Sequence, residues 1–516
     1  MNNFSKLIIA ASLSNIPYAH AQSSQQSTQD LTAIAQQYQQ GKTTAVELLK
    51  TYQARTAQLN PQLAAVTAMR NEAMQDAEAA DRQVRPASNV GLSLQGLPLM
   101  VKDNIAVKGM VTTAGSLALT ENMASNDATI VQKLRTAGAI IAGKTNLSEW
   151  ANFRSTKSSS GWSSVGGQTR NPYNTSKSPC GSSSGSGAAV AARMIPAAIG
   201  TETDGSVVCP AAVNGLVGLK PTLGLVSRSG IIPLSHSQDT AGPMTLSVRD
   251  AALIMNAIAG SDAADPTTKD ADKLRAKDYT AGLDSKALKG KRLGVVTKML
   301  AGYDKQSLAL FKRSLDILKA QGAVIIEQVE LGNLEQAEKD EFTVLLYDFK
   351  ADLNQFLSTT PASVKYRSLA DIMQFNKTNA KQVMPHFAQE IMELAQAKGP
   401  LTDTDYVQAS TRAKKLTGVE GIDATLKKHQ LNALIAPTTG PAWDIDYKKG
   451  DVIAGSASSP AAIAGYPHLT VPMGLVKGLP VGLSFFAGAW SDASLLNMGY
   501  AFEVARPALP APRLKK

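Results

Sequence analysis

Two periodicities alternate along this chain, and the alternation limits the folds open to it. Thr44 and Glu47 form a capping box that opens a helix predicted to end before Asn60-Pro61, and Ala64 to Ala68 reads as the following strand. The apolar stretch Pro98 to Val101 leads into Lys102. Thr129 to Ala137 has helical spacing, after which Ala139 to Ala142 is a short apolar strand. Leu308, Phe311, Leu315 and Leu318 fall on one helical stripe between Ser307 and Ala320, and the β-branched run Val324 to Val329 comes next. Such alternation favours an α/β architecture, a sheet covered by helices on both faces. No fixed-period repeat is visible.

Length and composition set the outer limits. A chain of 516 residues would by length alone divide into roughly three domains of about 150 residues. Hydrophobic residues make up 44% and charged ones 18%, an ordinary globular balance. Lys6 precedes the apolar run Leu7 to Leu13, and Ala19-His20-Ala21 places small residues before Gln22. That is the pattern of a secretory signal over residues 1–21, cleaved after Ala21, so the mature chain is expected to be exported, periplasmic or secreted. The longest later apolar stretch, Ala188 to Ile199, is broken by Arg193 and Pro196, and no membrane insertion is expected. The net charge is +10, but Lys and Arg are scattered, with the densest patch only Lys286, Lys289, Lys291 and Arg292. A nucleic-acid footprint needs clustering on one face, so none is expected. The basic, proline-containing tail from Arg506 to Lys516 is expected to trail in solvent.

The chemistry is concentrated between Pro179 and Pro210. This segment runs PCGSSSGSG, then an alanine-rich stretch, then GTETDGSVVCP. It places Ser182 and Ser206 in two Gly-bounded turns. A serine hydroxyl is a poor nucleophile until a base takes its proton. None of His236, His386, His429 and His468 lies in a nucleophile context or in metal-ligand spacing, so no metal is expected. Lysine serves as the base only when neutral, and lowering its pKa by about three units from about 10.4 costs roughly 4 kcal/mol, which demands a dry, rigid pocket. Lys102, after Leu99, Met100 and Val101, meets that demand, and Ser182 is placed to carry a proton between Ser206 and Lys102. The backbone N–H groups of Thr203, Asp204, Gly205 and Ser206 would converge as an oxyanion hole in a turn that glycine permits.

Each part has a blander reading. Gly181 to Gly187 alone is a flexible linker, Lys102 alone a solvated lysine paired with Asp103, and Ser206 alone a helix cap for the segment from Val207. Their conjunction is far more specific. Cys180 and Cys209 flank the two turns and are able to pair in an oxidising compartment, but each reads as a small apolar filler, and two buried free thiols are expected. Gly138 to Thr145 matches the phosphate-loop pattern of an ATPase. The helix before Gly138 and the strand at Ala139 to Ala142 argue against that loop.

With these residues in place, the chain resembles the amidase signature family. The resemblance implies Ser206 as the acyl-forming nucleophile, Ser182 as a serine held by a cis peptide bond and Lys102 as the base. It covers nearly all of residues 22–516, including NALIAPT from Asn432, AGYPHLTVPMG from Ala464 and GLPVGLSFF from Gly478. It implies a single domain with a large twisted mixed sheet, a monomer acting on a small-molecule or peptide amide, and no cofactor. Glu202 stands in place of an aspartate, Asp204 and Cys180 in place of glycines, and Val208 where arginine is frequent. Those departures, with EWANFRS from Glu149 and GLVSRSGIIPLS from Gly224, are similar to the peptide amidase branch, which hydrolyses the C-terminal amide of peptides. The alternatives are an amidase acting on other acyl or aryl amides, an amidotransferase A-type subunit, and a secreted binding protein with a decayed site.

Overall fold

The computed structural model describes residues 29–83 and 92–514. The secretory signal expected over residues 1–21 lies outside them. The strands run in chain order β1 Val66–Met69, β2 Pro98–Lys102, β3 Ile140–Thr145, β4 Trp162–Ser163, β5 Gly167–Gln168, β6 Ala198–Glu202, β7 Val217–Lys220, β8 Thr240–Thr245, β9 Arg292–Val296, β10 Val324–Val329, β11 Ala433–Pro437, β12 His468–Val476 and β13 Leu479–Phe486. Eleven of them form one sheet in the order β1-β3-β2-β6-β8-β7-β12-β13-β11-β9-β10, and β4 pairs with β5 apart from it. The sheet is mixed: β3, β2 and β6 are parallel, as are β11, β9 and β10, while the strands between pair antiparallel. One sheet therefore organises one domain, as the resemblance implies and against the expectation from length.

Helices cover both faces. A side chain added at Gly499 of helix Asp492–Ala505 would meet Leu469 and Val471 of β12. One added at Gly482 of β13 would meet Thr470 of β12 and Ala212 of helix Val208–Val213. Leu469 and Thr470 are successive strand residues and point to opposite faces, so the two helices lie on opposite sides.

The capping box forms, with Thr44 Oγ1 accepting from the Glu47 N–H at 3.1 Å and the Glu47 carboxylate from the Thr44 N–H at 3.0 Å. That helix does not stop before Pro61; it runs from Ala45 to Leu63. Pro61 sits in the last turn, where it deletes a single ladder bond. The end is set instead by Ala64 at φ 46° and by the Asn60 side chain, which accepts the Ala65 and Val66 N–H groups. The C-terminal tail also departs from expectation: the Tyr173 hydroxyl donates to the Pro510 carbonyl at 3.0 Å, and Leu514 packs on the core.

Helix Ser184–Ala191 is wholly buried beneath the sheet, and its small side chains make this possible. A Cβ on Gly185 would lie 2.3 Å from the Ala65 carbonyl and 2.5 Å from the Asn146 backbone. Between β10 and β11 the chain makes a helical excursion that includes Leu334–Ser358 and Thr404–Thr417. Its Leu346, Phe349 and Leu353 join one apolar cluster with Trp150, Phe153, Ile232 and Leu234, part of which lies beside the C-terminal ends of β2 and β6.

Candidate active site

β2 and β6 are adjacent and parallel, so their last residues, Lys102 and Thr201-Glu202, emerge side by side. Lys102 is completely buried. Its Nζ donates to Ser182 Oγ at 2.7 Å, to Thr201 Oγ1 at 2.8 Å and to the Thr201 carbonyl at 3.3 Å. Burial pulls its pKa from 10.5 down to about 7, although the carboxylates of Asp239 and Glu202 oppose the shift. A lysine in this state is available as a neutral amine near neutral pH. The peptide bond Gly181-Ser182 is cis. In place of a linker, the glycine-rich turn is buried and leads directly into helix Ser184–Ala191.

The second turn leaves β6 and folds back through Gly205, whose φ of 77° favours glycine. The Glu202 carboxylate, fully buried, accepts the N–H of Val207 at 2.7 Å and of Val208 at 2.9 Å. These bonds satisfy the start of helix Val208–Val213 and leave the N–H groups of Thr203, Asp204, Gly205 and Ser206 without an acceptor among the described residues. Ser206 is joined to the first turn by the Ser183 N–H, which donates to the Ser206 carbonyl at 3.1 Å. No hydrogen bond links the Ser206 and Ser182 hydroxyls among the described residues.

The two cysteines are not free thiols. Cys180 and Cys209 form a disulfide, so the turn carrying Ser182 and the turn carrying Ser206 are covalently tied. Each reads as a separate filler in the sequence because nothing local shows that the two turns meet.

Sequence reasoning also misses the groups behind the second turn. Asp204 accepts from the Ser459 hydroxyl at 2.8 Å, and the Glu341 carboxyl is pushed well above its usual range by burial and by the charge of Asp204. Gln238 Nε2 bridges Glu341 at 2.7 Å and the Thr203 carbonyl at 3.3 Å. Asp239 accepts from the Thr203 hydroxyl at 2.6 Å, and burial raises its pKa to about 6. Glu202 and Asp204 stand out in the sequence as departures from the family pattern; Glu341 and Gln238 come from distant segments and carry no local signal.

The phosphate-loop match fails on structure. Ile140 to Thr145 is strand β3, and Lys144 is buried with its Nζ 3.2 Å from Asp103 and 2.6 Å from the Thr112 hydroxyl. Asp103 thus serves Lys144, and Lys102 is not the solvated partner of Asp103 that its sequence alone suggests.

A cavity of about 300 Å³ opens beside this centre. It reaches Thr201, the acceptor for Lys102, and Thr203, which begins the Ser206 turn. Trp150 and Ala151 from EWANFRS line it together with Arg228, Ile231, Ile232 and Leu234 from GLVSRSGIIPLS. The helical excursion closes the opposite wall with Phe349 and Phe356. The EWANFRS segment is itself locked by a fully buried pair, Glu149 to Arg154 at 2.7 Å, and Arg154 also donates to the Val383 carbonyl.

A mixed sheet with a buried lysine, an adjacent cis serine and a Gly turn beside an apolar cavity is the framework of an amide hydrolase. The family model for amidases matches residues 47–496, and the chain belongs to the amidase family. It is 49% identical to the peptide amidase of Stenotrophomonas maltophilia, with a TM-score of 0.89 over 94% of this chain and 99% of that one. It is 35% identical to a probable amidase of Arabidopsis thaliana over 91% of this chain and 88% of that protein. The A-type subunit of the glutamyl-tRNA(Gln) amidotransferase of Pseudomonas syringae is 36% identical over 92% of this chain and 96% of its own length.

Proposed function

We propose that this amidase releases ammonia from the C-terminal carboxamide of peptides. The observation that carries the reading is the cavity, because the two segments that resemble the peptide amidase branch, far apart in sequence, line it together. Its apolar walls suit the side chains of a peptide on the acyl side of the bond. The 49% identity to a peptide amidase supports the same substrate class.

In this mechanism the Ser206 hydroxyl attacks the amide carbonyl while its proton passes through Ser182 to neutral Lys102. The N–H groups of Thr203 to Ser206 take up the charge on the carbonyl oxygen, and donors fixed in advance act there without reorganising. The C–N bond breaks as the proton returns through Ser182 to nitrogen, and ammonia leaves. Water then attacks the acyl-enzyme by the same relay and frees Ser206. Export belongs to the same reading, supported by the Cys180–Cys209 disulfide, since such bonds persist in oxidising compartments.

The test is an ammonia-release assay on peptides ending in carboxamide beside their free-acid forms. The amides should gain roughly one mass unit as NH₂ becomes OH, and the free acids should stay intact. Shorter fragments would indicate an endopeptidase. Release from acyl or aryl amides but not from peptide amides would move the assignment to another branch.

A further inference from the structure

At the mouth of the cavity stands a cluster that the hydrolysis does not use. His236 lies on the loop before β8, and Asp348 and Asp352 lie four residues apart on one face of helix Leu334–Ser358. His236 Nδ1 is 3.0 Å from both Asp352 carboxylate oxygens and 3.6 Å from Asp348 Oδ1. Ligands held about 2.0–2.2 Å from one tetrahedral ion stand roughly 3.3–3.6 Å apart, so these separations bracket the spacing that a common ion imposes.

Asp348 supplies an independent observation. Its side chain is fully buried, and Oδ2 accepts from the Ser235 hydroxyl at 2.7 Å, which fixes the carboxylate. Oδ1 is left aimed at His236 with no hydrogen-bond partner. A buried carboxylate oxygen without a donor is costly unless a cation completes it. Outer support is also present: the Tyr406 hydroxyl stands 3.4 Å from His236 Nε2, as the second ring nitrogen of a ligating histidine requires. The nearby Arg228 guanidinium is neutralised by its paired contacts with Asp265, so it does not bar a cation.

We propose that His236, Asp348 and Asp352 bind a divalent transition-metal cation of the zinc class, with its open coordination position facing the substrate cavity. His236 and Asp352 both line that cavity, so the bound ion narrows its mouth. Two carboxylates and an imidazole are a ligand set that suits zinc or cobalt better than calcium. The predicted loss of turnover rests on the amidase reading; binding itself does not.

The experiment titrates chelator-treated protein with Co²⁺, followed by its visible absorption, and with Zn²⁺ in a calorimeter. One equivalent should bind with the strong visible band of tetrahedral cobalt. His236→Ala and Asp348→Asn should each weaken binding by more than about 100-fold, and Tyr406→Phe by about 10-fold. Absence of the band in the wild-type protein, or unchanged affinity in folded His236→Ala, would overturn the site. Because wild-type protein alone gives the first readout, a variant that fails to fold does not shield the proposal. Zinc should also inhibit ammonia release in step with occupancy; full occupancy without inhibition overturns the narrowing of the cavity. A protein that binds cobalt but releases no ammonia would instead fault the amidase reading.

Discussion

Lys102 shows how burial changes the protonation of an ordinary side chain. Its three hydrogen-bond acceptors are all neutral oxygens, so desolvation outweighs the distant carboxylates and the pKa falls to about 7. kcat/KM should therefore decline as pH drops through about 7, because protonation removes the base. Ser206→Ala and Lys102→Met should each lower kcat by about 10³-fold or more, and the double variant should be little worse, since residues acting as one relay are not additive. Additive losses would contradict the relay. The same lysine shapes stability. In the unfolded chain it stays protonated up to its ordinary 10.5, while in the fold it releases its proton near 7. Between those values the unfolded state binds more protons, so stability rises with pH across the window. Lys102→Met lacks this term, and denaturant titrations should show its stability relative to wild type falling steadily between those two pH values.

Among the elements, helix Ser184–Ala191 and the two flanking turns form the least adjustable part of the molecule. A Cβ at Gly185 would meet backbone atoms of Ala65 and Asn146, which cannot swing aside as a side chain can. Gly185→Ala should cost about 3 kcal/mol or more in denaturant unfolding. The disulfide joins the turns across a separation of 29 residues. Closing a loop of that size stabilises by about 3–4 kcal/mol in the chain-entropy account. Cys180→Ser with Cys209→Ser should lose most of that and also lower kcat, because the relation between Ser182 and Ser206 then depends on packing alone. An unchanged kcat would mean that helix Ser184–Ala191 positions the turns without help.

For the molecule as a whole, the cavity forms where the C-terminal ends of β2 and β6 meet the helical excursion. Glu149 holds Arg154 within one wall, and Arg154 reaches the helical excursion by donating to the Val383 carbonyl and stacking over Phe387, as it does over Trp162. Glu149→Ala would leave a buried guanidinium without its counter-charge, at about 3–5 kcal/mol. Thermal unfolding should register that loss, and KM should rise more than kcat falls, since the pair touches the cavity wall and not Lys102.

The alternation that makes a sheet covered by helices is legible in the residues alone, because periodicity is a local property of the chain. So are the residues worth watching, since a glycine-serine turn, a second Gly turn and a lysine after an apolar strand are each written in a few consecutive positions. The end of helix Ala45–Leu63 is not, because the Asn60 side chain and not Pro61 sets the stop. The disulfide, the Thr201 oxygens that hold Lys102 and the partners Glu341, Gln238 and Asp239 come from the folded arrangement. Each joins segments far apart in sequence, and the energy of a buried charge or a sulfur pair depends on distances across the fold, on which local propensity is silent.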